Sequence, residues 1–176
     1  MKLRNINSKS SFYGVIGALL LSAGPASAEQ ADSRLTVAFI SDAAQASAIV
    51  RKQYDRAIDK LEDAPSKGIR GFYAANNLCV AYLKVGDAEQ AQVACDTAVQ
   101  RIEYLLDKSR YALRYATDGD YQRLRAIALS NRGVVNFVND KPELARADFE
   151  SAIQTEAGIR EPQINLARLA ELATTA

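Results

Sequence analysis

FYAANNLCVAYLKVGDAEQAQVACDTAV, residues 72–99, decides how the rest of the chain is read. Leu78, Ala81, Tyr82 and Val85 recur at the i, i+3, i+4, i+7 spacing of one helical face. Gly86 supplies a left-handed residue that ends this helix, and Asp87 with Gln90 three positions on forms a capping box for the next. Ala91, Ala94, Cys95 and Ala98 then fall along one side of a second helix. Small residues on both facing sides let the two helices pack closely and antiparallel, so the stretch predicts a helical hairpin.

The hairpin resembles the tetratricopeptide repeat. Asn77-Leu78, Ala81-Tyr82, Gly86-Asp87, Ala91 and Ala98 carry the resemblance, with Cys79 in place of the motif's usual glycine and Cys95 in place of its usual aromatic. The family's period is about 34 residues. The fold implied is all-α, a short TPR-like solenoid of antiparallel helical hairpins with a C-terminal capping helix. Ala57 and Ala64 lie one period before Ala91 and Ala98, which defines a repeat over residues 38–71 ahead of the one over 72–105. Its first helix is expected from Asp42 as N-cap, its second from Tyr54, and its turn, Arg51-Lys52-Gln53, lacks glycine.

A further repeat spans residues 126–159. Asn131-Arg132-Gly133 resembles the family's Asn-Arg-Gly variant of the first helix, and Ala145, Phe149 and Ala152 match the second. Asp140-Lys141-Pro142-Glu143 reads as a capping box with proline in the first turn, and Gly158 as the residue that closes the repeat. Residues 160–176 hold a last helix opened by Glu161-Pro162, with Ile164, Leu166, Leu169, Ala170 and Leu172 on its apolar side. No second helix follows, so this one is expected to cap the stack.

Gly133 follows Cys79 by one period plus twenty residues, which places an insertion at 106–125. Ala98, Ile102, Leu105, Ala112, Leu113 and Ala116 continue the preceding helix; Tyr121, Leu124, Ile127 and Ala128 lead into the following one, with Asp118-Gly119-Asp120 as the breaker. Each helix gains about ten residues, or about 15 Å, and the hairpin is expected to project from the body. Tyr104, Tyr111, Tyr115 and Tyr121 lie among Arg110, Arg114, Arg123 and Arg125. Two readings stand side by side. Tyr111, Arg114 and Tyr115 form a binding surface, because Tyr and Arg are enriched at hot spots; or the tyrosines pack the arms together while the arginines pair with Asp107, Asp118 and Asp120.

The N-terminus has the form of a signal peptide over residues 1–28. Lys2, Arg4 and Lys9 precede an apolar run from Phe12 to Leu21 that is too short to span a bilayer comfortably, and Ala26-Ser27-Ala28 has the small-x-small form of a cleavage site. Cleavage is expected after Ala28, leaving a periplasmic or secreted helical domain over residues 29–176 with no membrane span. Without the three leader cations, 19 of the 22 Lys and Arg stand against 21 Asp and Glu. That balance gives no reason to expect nucleic acid or an anionic membrane as partner.

The chain has no histidine, which removes the commonest general base and metal ligand. It has no Gly-rich phosphate loop, nucleophile elbow or metal-spaced cysteine set, so neither catalysis, cofactor nor metal is expected. The only two cysteines, Cys79 and Cys95, lie at similar height on facing sides of the hairpin. They are expected either to form a disulfide, as an oxidising compartment favours, or to serve as buried thiols. The resemblance implies a concave surface lined by first helices that receives a protein or peptide partner. By register its lining is Tyr73, Asn76, Val80, Leu83, Lys84, Ile127, Ser130, Val134, Phe137 and Val138. Relatives that clamp a C-terminal carboxylate have Lys and Asn where Asn76 and Val80 stand, so that specificity is not implied. Self-association into a homo-oligomer, through the long hairpin or the open end of the stack, is the alternative role.

Overall fold

The hairpin at residues 72–99 forms as its sequence dictates. In the computed structural model, which describes residues 35–41, 46–112 and 118–174 (side chains 110–119 excepted), Gly86 takes φ 82° and ends the first helix of the pair. Its N–H and that of Asp87 return to Leu83 and Tyr82 carbonyls, and the Asp87 carboxylate accepts from Gln90 N–H at 3.0 Å. The leader, the cleavage site and the helix start at Asp42 lie outside the described residues.

The architecture is all-α, with no strand among the described residues. The helices are α1 (Ala46–Val50), α2 (Tyr54–Glu62), α3 (Gly68–Val85), α4 (Ala88–Ala112), α5 (Asp118–Val138), α6 (Pro142–Thr155) and α7 (Arg160–Thr174). Each of them packs on its successor, and α3 also touches α5, as α5 touches α7. The alternate helices α3, α5 and α7 therefore share one side. The core between them holds Phe72, Cys79, Ala98, Ile102, Val134, Val135, Phe149 and Leu169.

Cys79 and Cys95 are joined by a disulfide, with Cα atoms 5.0 Å apart. Ala91, Ala94 and Ala98 beside them are buried, and their short side chains let α3 and α4 close to that distance. At the matching positions of the next pair, a Cβ on Gly133 would come within 2.6 Å of the Phe149 ring. Glycine there admits the aromatic, as the disulfide bridges the same gap one repeat earlier.

Four local expectations are corrected. Asp140 does not cap α6: it takes φ 56° and ends α5, with its N–H on the Phe137 carbonyl and that of Lys141 on the Asn136 carbonyl. It stands at the register position of Gly86, and Asp tolerates the left-handed conformation better than most residues. Gly158 does not close α6, which stops at Thr155 with an extended Glu156 as C-cap. Asp118-Gly119-Asp120 is the first turn of α5 rather than a breaker. On α7 the inward residues are Pro162, Asn165 and Leu169, while Ile164 is 40% exposed and Ala170 is exposed too.

Residues 38–40, which the register places at the head of the first repeat ahead of the helix expected from Asp42, lie in an extended run whose alternate residues face the same edge. They belong to a strap, residues 35–40. Its sequence LTVAFI is rich in β-branched and aromatic residues, which favour extended backbone.

Candidate functional site

The strap crosses the side shared by α3, α5 and α7, held by a ladder of asparagines. Asn165 on α7 clasps Thr36: its Oδ1 accepts from Thr36 N–H at 2.8 Å and its Nδ2 donates to Thr36 O at 2.7 Å. Asn131 on α5 does the same for Ala38 at 2.9 and 2.7 Å. Asn77 on α3 does so for Ile40 at 2.8 and 3.0 Å. Asn76 adds a bond to Ala38 O at 3.3 Å and accepts from Asn131 Nδ2 at 3.1 Å. All four asparagines are fully buried (0% exposed). Alternate residues of an extended chain present N–H and C=O to the same edge, which is why the clasps fall at 36, 38 and 40. The strap runs from α7 across α5 to α3.

Side chains complete the seat. Leu35 (3% exposed) shares a cluster with Leu83, Val134 and Leu169, packed by Phe137 and Val138. Ile40 (8%) shares another with Phe72, Ala75 and Ala128, packed by Tyr73 and Ile127. Phe39 points outward at 36% exposure. Seven backbone hydrogen bonds hold the strap. At about 1 kcal/mol net each, with about 2 kcal/mol for each of two buried side chains, they stabilise docking by about 11 kcal/mol. Ordering six residues costs about 1–2 kcal/mol apiece. The two totals nearly offset, so the strap is held by a small difference.

Of the residues expected to line a groove, Asn76 touches the strap directly, and Leu83, Val134, Phe137, Val138, Tyr73 and Ile127 lie in the clusters that seat its ends. Val80 faces α1 and α2 instead, in a cluster with Ala48, Ile49 and Leu61. Ser130 is buried with no hydrogen-bond partner for its hydroxyl among the described residues, and Lys84 is half-buried. The side chains of Tyr111, Arg114 and Tyr115 lie outside the description; nearby, Tyr104 is 60% exposed under the Lys108 ammonium. Asn77, Asn131 and Asn165 were not among the expected lining. Their shared register position was the available signal.

Elsewhere, polar side chains tie helices to one another. Arg132 makes two hydrogen bonds to the buried Asp148, at 2.9 and 2.6 Å, and lies 3.7 Å from Asp96, tying α5 to α6 and α4; Asp148 first among these holds the guanidinium above its ordinary pKa. Arg101 donates to Gly71 O at 2.6 Å, and burial lowers its pKa. A concavity of about 430 Å³ lies between α2, α3 and α4, lined by Leu61, Pro65, Leu78, Val93 and Tyr82 among others. At its edge the Tyr82 hydroxyl donates to the Glu62 carboxylate, and that bond, then burial and the nearby charges of Glu62 and Asp87, push the phenol up to about 12. No group of three or more metal-binding side chains occurs among the described residues, and none of their helices is long and apolar enough to cross a membrane. Compared with known proteins, the chain matches no family model, no curated protein and no solved structure.

Proposed function

We propose that the chain is an exported helical-repeat module of the tetratricopeptide kind, a scaffold whose inner face binds an extended segment of a protein partner. One observation carries the reading: Asn77, Asn131 and Asn165 clasp both amide groups of alternate residues in an extended segment. The ladder reads backbone, and backbone is what every peptide shares. The disulfide supports export, since such bonds persist in oxidising compartments.

The test is photo-crosslinking from Phe137 in the full exported chain within the cell envelope. Adducts to another protein, diminished when Asn131→Ala is added, are the expected result. Adducts only to a second copy would reject it in favour of self-association, a reading supported by the exposed Ile164 on the terminal helix.

A further inference from the structure

We infer that residues 35–40 are a built-in occupant of the inner lane, displaced when an extended segment of another protein binds there. This rests on the reading just proposed and adds the ligand's chemistry and its competitor. Each clasp takes one N–H and one C=O from a single residue, so the second, fourth and sixth positions of a bound hexapeptide need free amides and exclude proline. Leu35 and Ile40 are buried at its two ends, which selects aliphatic side chains at the first and sixth positions. Val37 packs against two core clusters and favours an apolar third. The outward Phe39 leaves the fifth unselected. The ligand is thus an extended aliphatic-x-apolar-x-x-aliphatic segment, running from α7 towards α3.

Displacement is built into how the strap is held. The seven bonds to its backbone come from asparagine side chains, not from helix backbone, so α3, α5 and α7 keep their own backbone hydrogen bonds when it leaves. The four buried asparagines then exchange peptide for water. A tethered segment competes at an effective concentration on the order of millimolar, so an outside peptide binds the intact chain weakly until the strap is released.

Two measurements on the full chain test this. In hydrogen exchange, the Thr36, Ala38 and Ile40 amides should exchange through a local opening at least roughly a hundredfold faster than those of Cys79 and Val135 in the helices. Equal rates would make the strap part of the cooperative core and overturn the inference; the groove reading is judged separately, by the Phe137 adducts. In the second, the labelled synthetic peptide SRLTVAFIS, residues 33–41, is titrated into wild type, Ala38→Pro and Phe39→Pro. Ala38→Pro removes a clasped N–H and should bind at least roughly tenfold tighter than wild type. Phe39→Pro alters the unclasped edge and should resemble wild type. Adding Asn131→Ala to Ala38→Pro should abolish the gain. Collapse of the helical circular dichroism in Ala38→Pro would also place the strap in the core and refute displacement. A folded Ala38→Pro that ignores the peptide would sink both readings. A dimer that the peptide dissociates would assign the lane to a second copy and reject a foreign segment.

Discussion

Cys79 and Cys95 occupy the register positions held by Gly133 and Phe149 in the following pair, and the two pairs solve one packing problem differently. A Cβ at 133 would clash with the Phe149 ring at 2.6 Å, whereas Cys79 and Cys95 meet through sulfur. Removing the bond with Cys79→Ala should cost about 3 kcal/mol, the chain-entropy value for a ring of this size. The double substitution Cys79→Gly with Cys95→Phe should recover part of that loss, read by urea unfolding. Asn131→Ala takes the partner from the Ala38 N–H and leaves its C=O with the longer Asn76 bond alone, and should destabilise by about 1–3 kcal/mol. Tyr82 makes a pH prediction. Its folded pKa is raised from 10.0 to about 12, so its bond to Glu62 contributes fully below pH 10 and is lost as the pH rises through 12. The stability difference between wild type and Tyr82→Phe should therefore shrink between pH 10 and 12 and stay flat below, in denaturant titrations across that range.

At the scale of elements, the turns share a left-handed residue of varying identity: Lys52 at φ 57°, Gly86 at 82° and Asp140 at 56°. Glycine alone therefore does not mark where a repeat turns. The described ends of the insertion belong to the body. Leu106 is buried, Tyr121 and Leu124 pack on the core, and Arg125 bonds Thr155 at 2.8 Å and lies 3.5 Å from Glu103. Replacing residues 110–119 with a short Asn/Gly turn should leave the melting temperature nearly unchanged. Excising all of 106–125 should lower it by several degrees, because buried apolar area goes with it; calorimetry distinguishes the two. The helices were legible in the sequence because small and apolar residues carry a period that packing enforces along the whole helix. The strap was not. LTVAFI has no partner strand among the described residues, and what satisfies its amides is a set of side chains on three helices distant in sequence. The asparagines that do so are written at one register position, but a sequence does not distinguish a buried asparagine that braces its own helix from one that clasps a passing chain.

For the whole molecule, the export reading has a direct consequence at residue 28. Ala28→Asp should block processing and leave the precursor at full length, read by intact mass of envelope protein, because the peptidase pocket admits only small side chains. An intact Met1 on wild-type envelope protein would contradict it. The strap also imposes an order in time. Ile40 reaches Asn77 across 37 residues, Ala38 reaches Asn131 across 93, and Thr36 reaches Asn165 across 129. A chain that emerges N-terminus first presents this apolar hexapeptide long before α7 exists to receive it. Closing longer loops costs more entropy, so the strap should zip from Ile40 back towards Thr36. Until the last helix arrives, the molecule carries an unsheltered sticky end, and its newborn form is the one most exposed to wrong pairings.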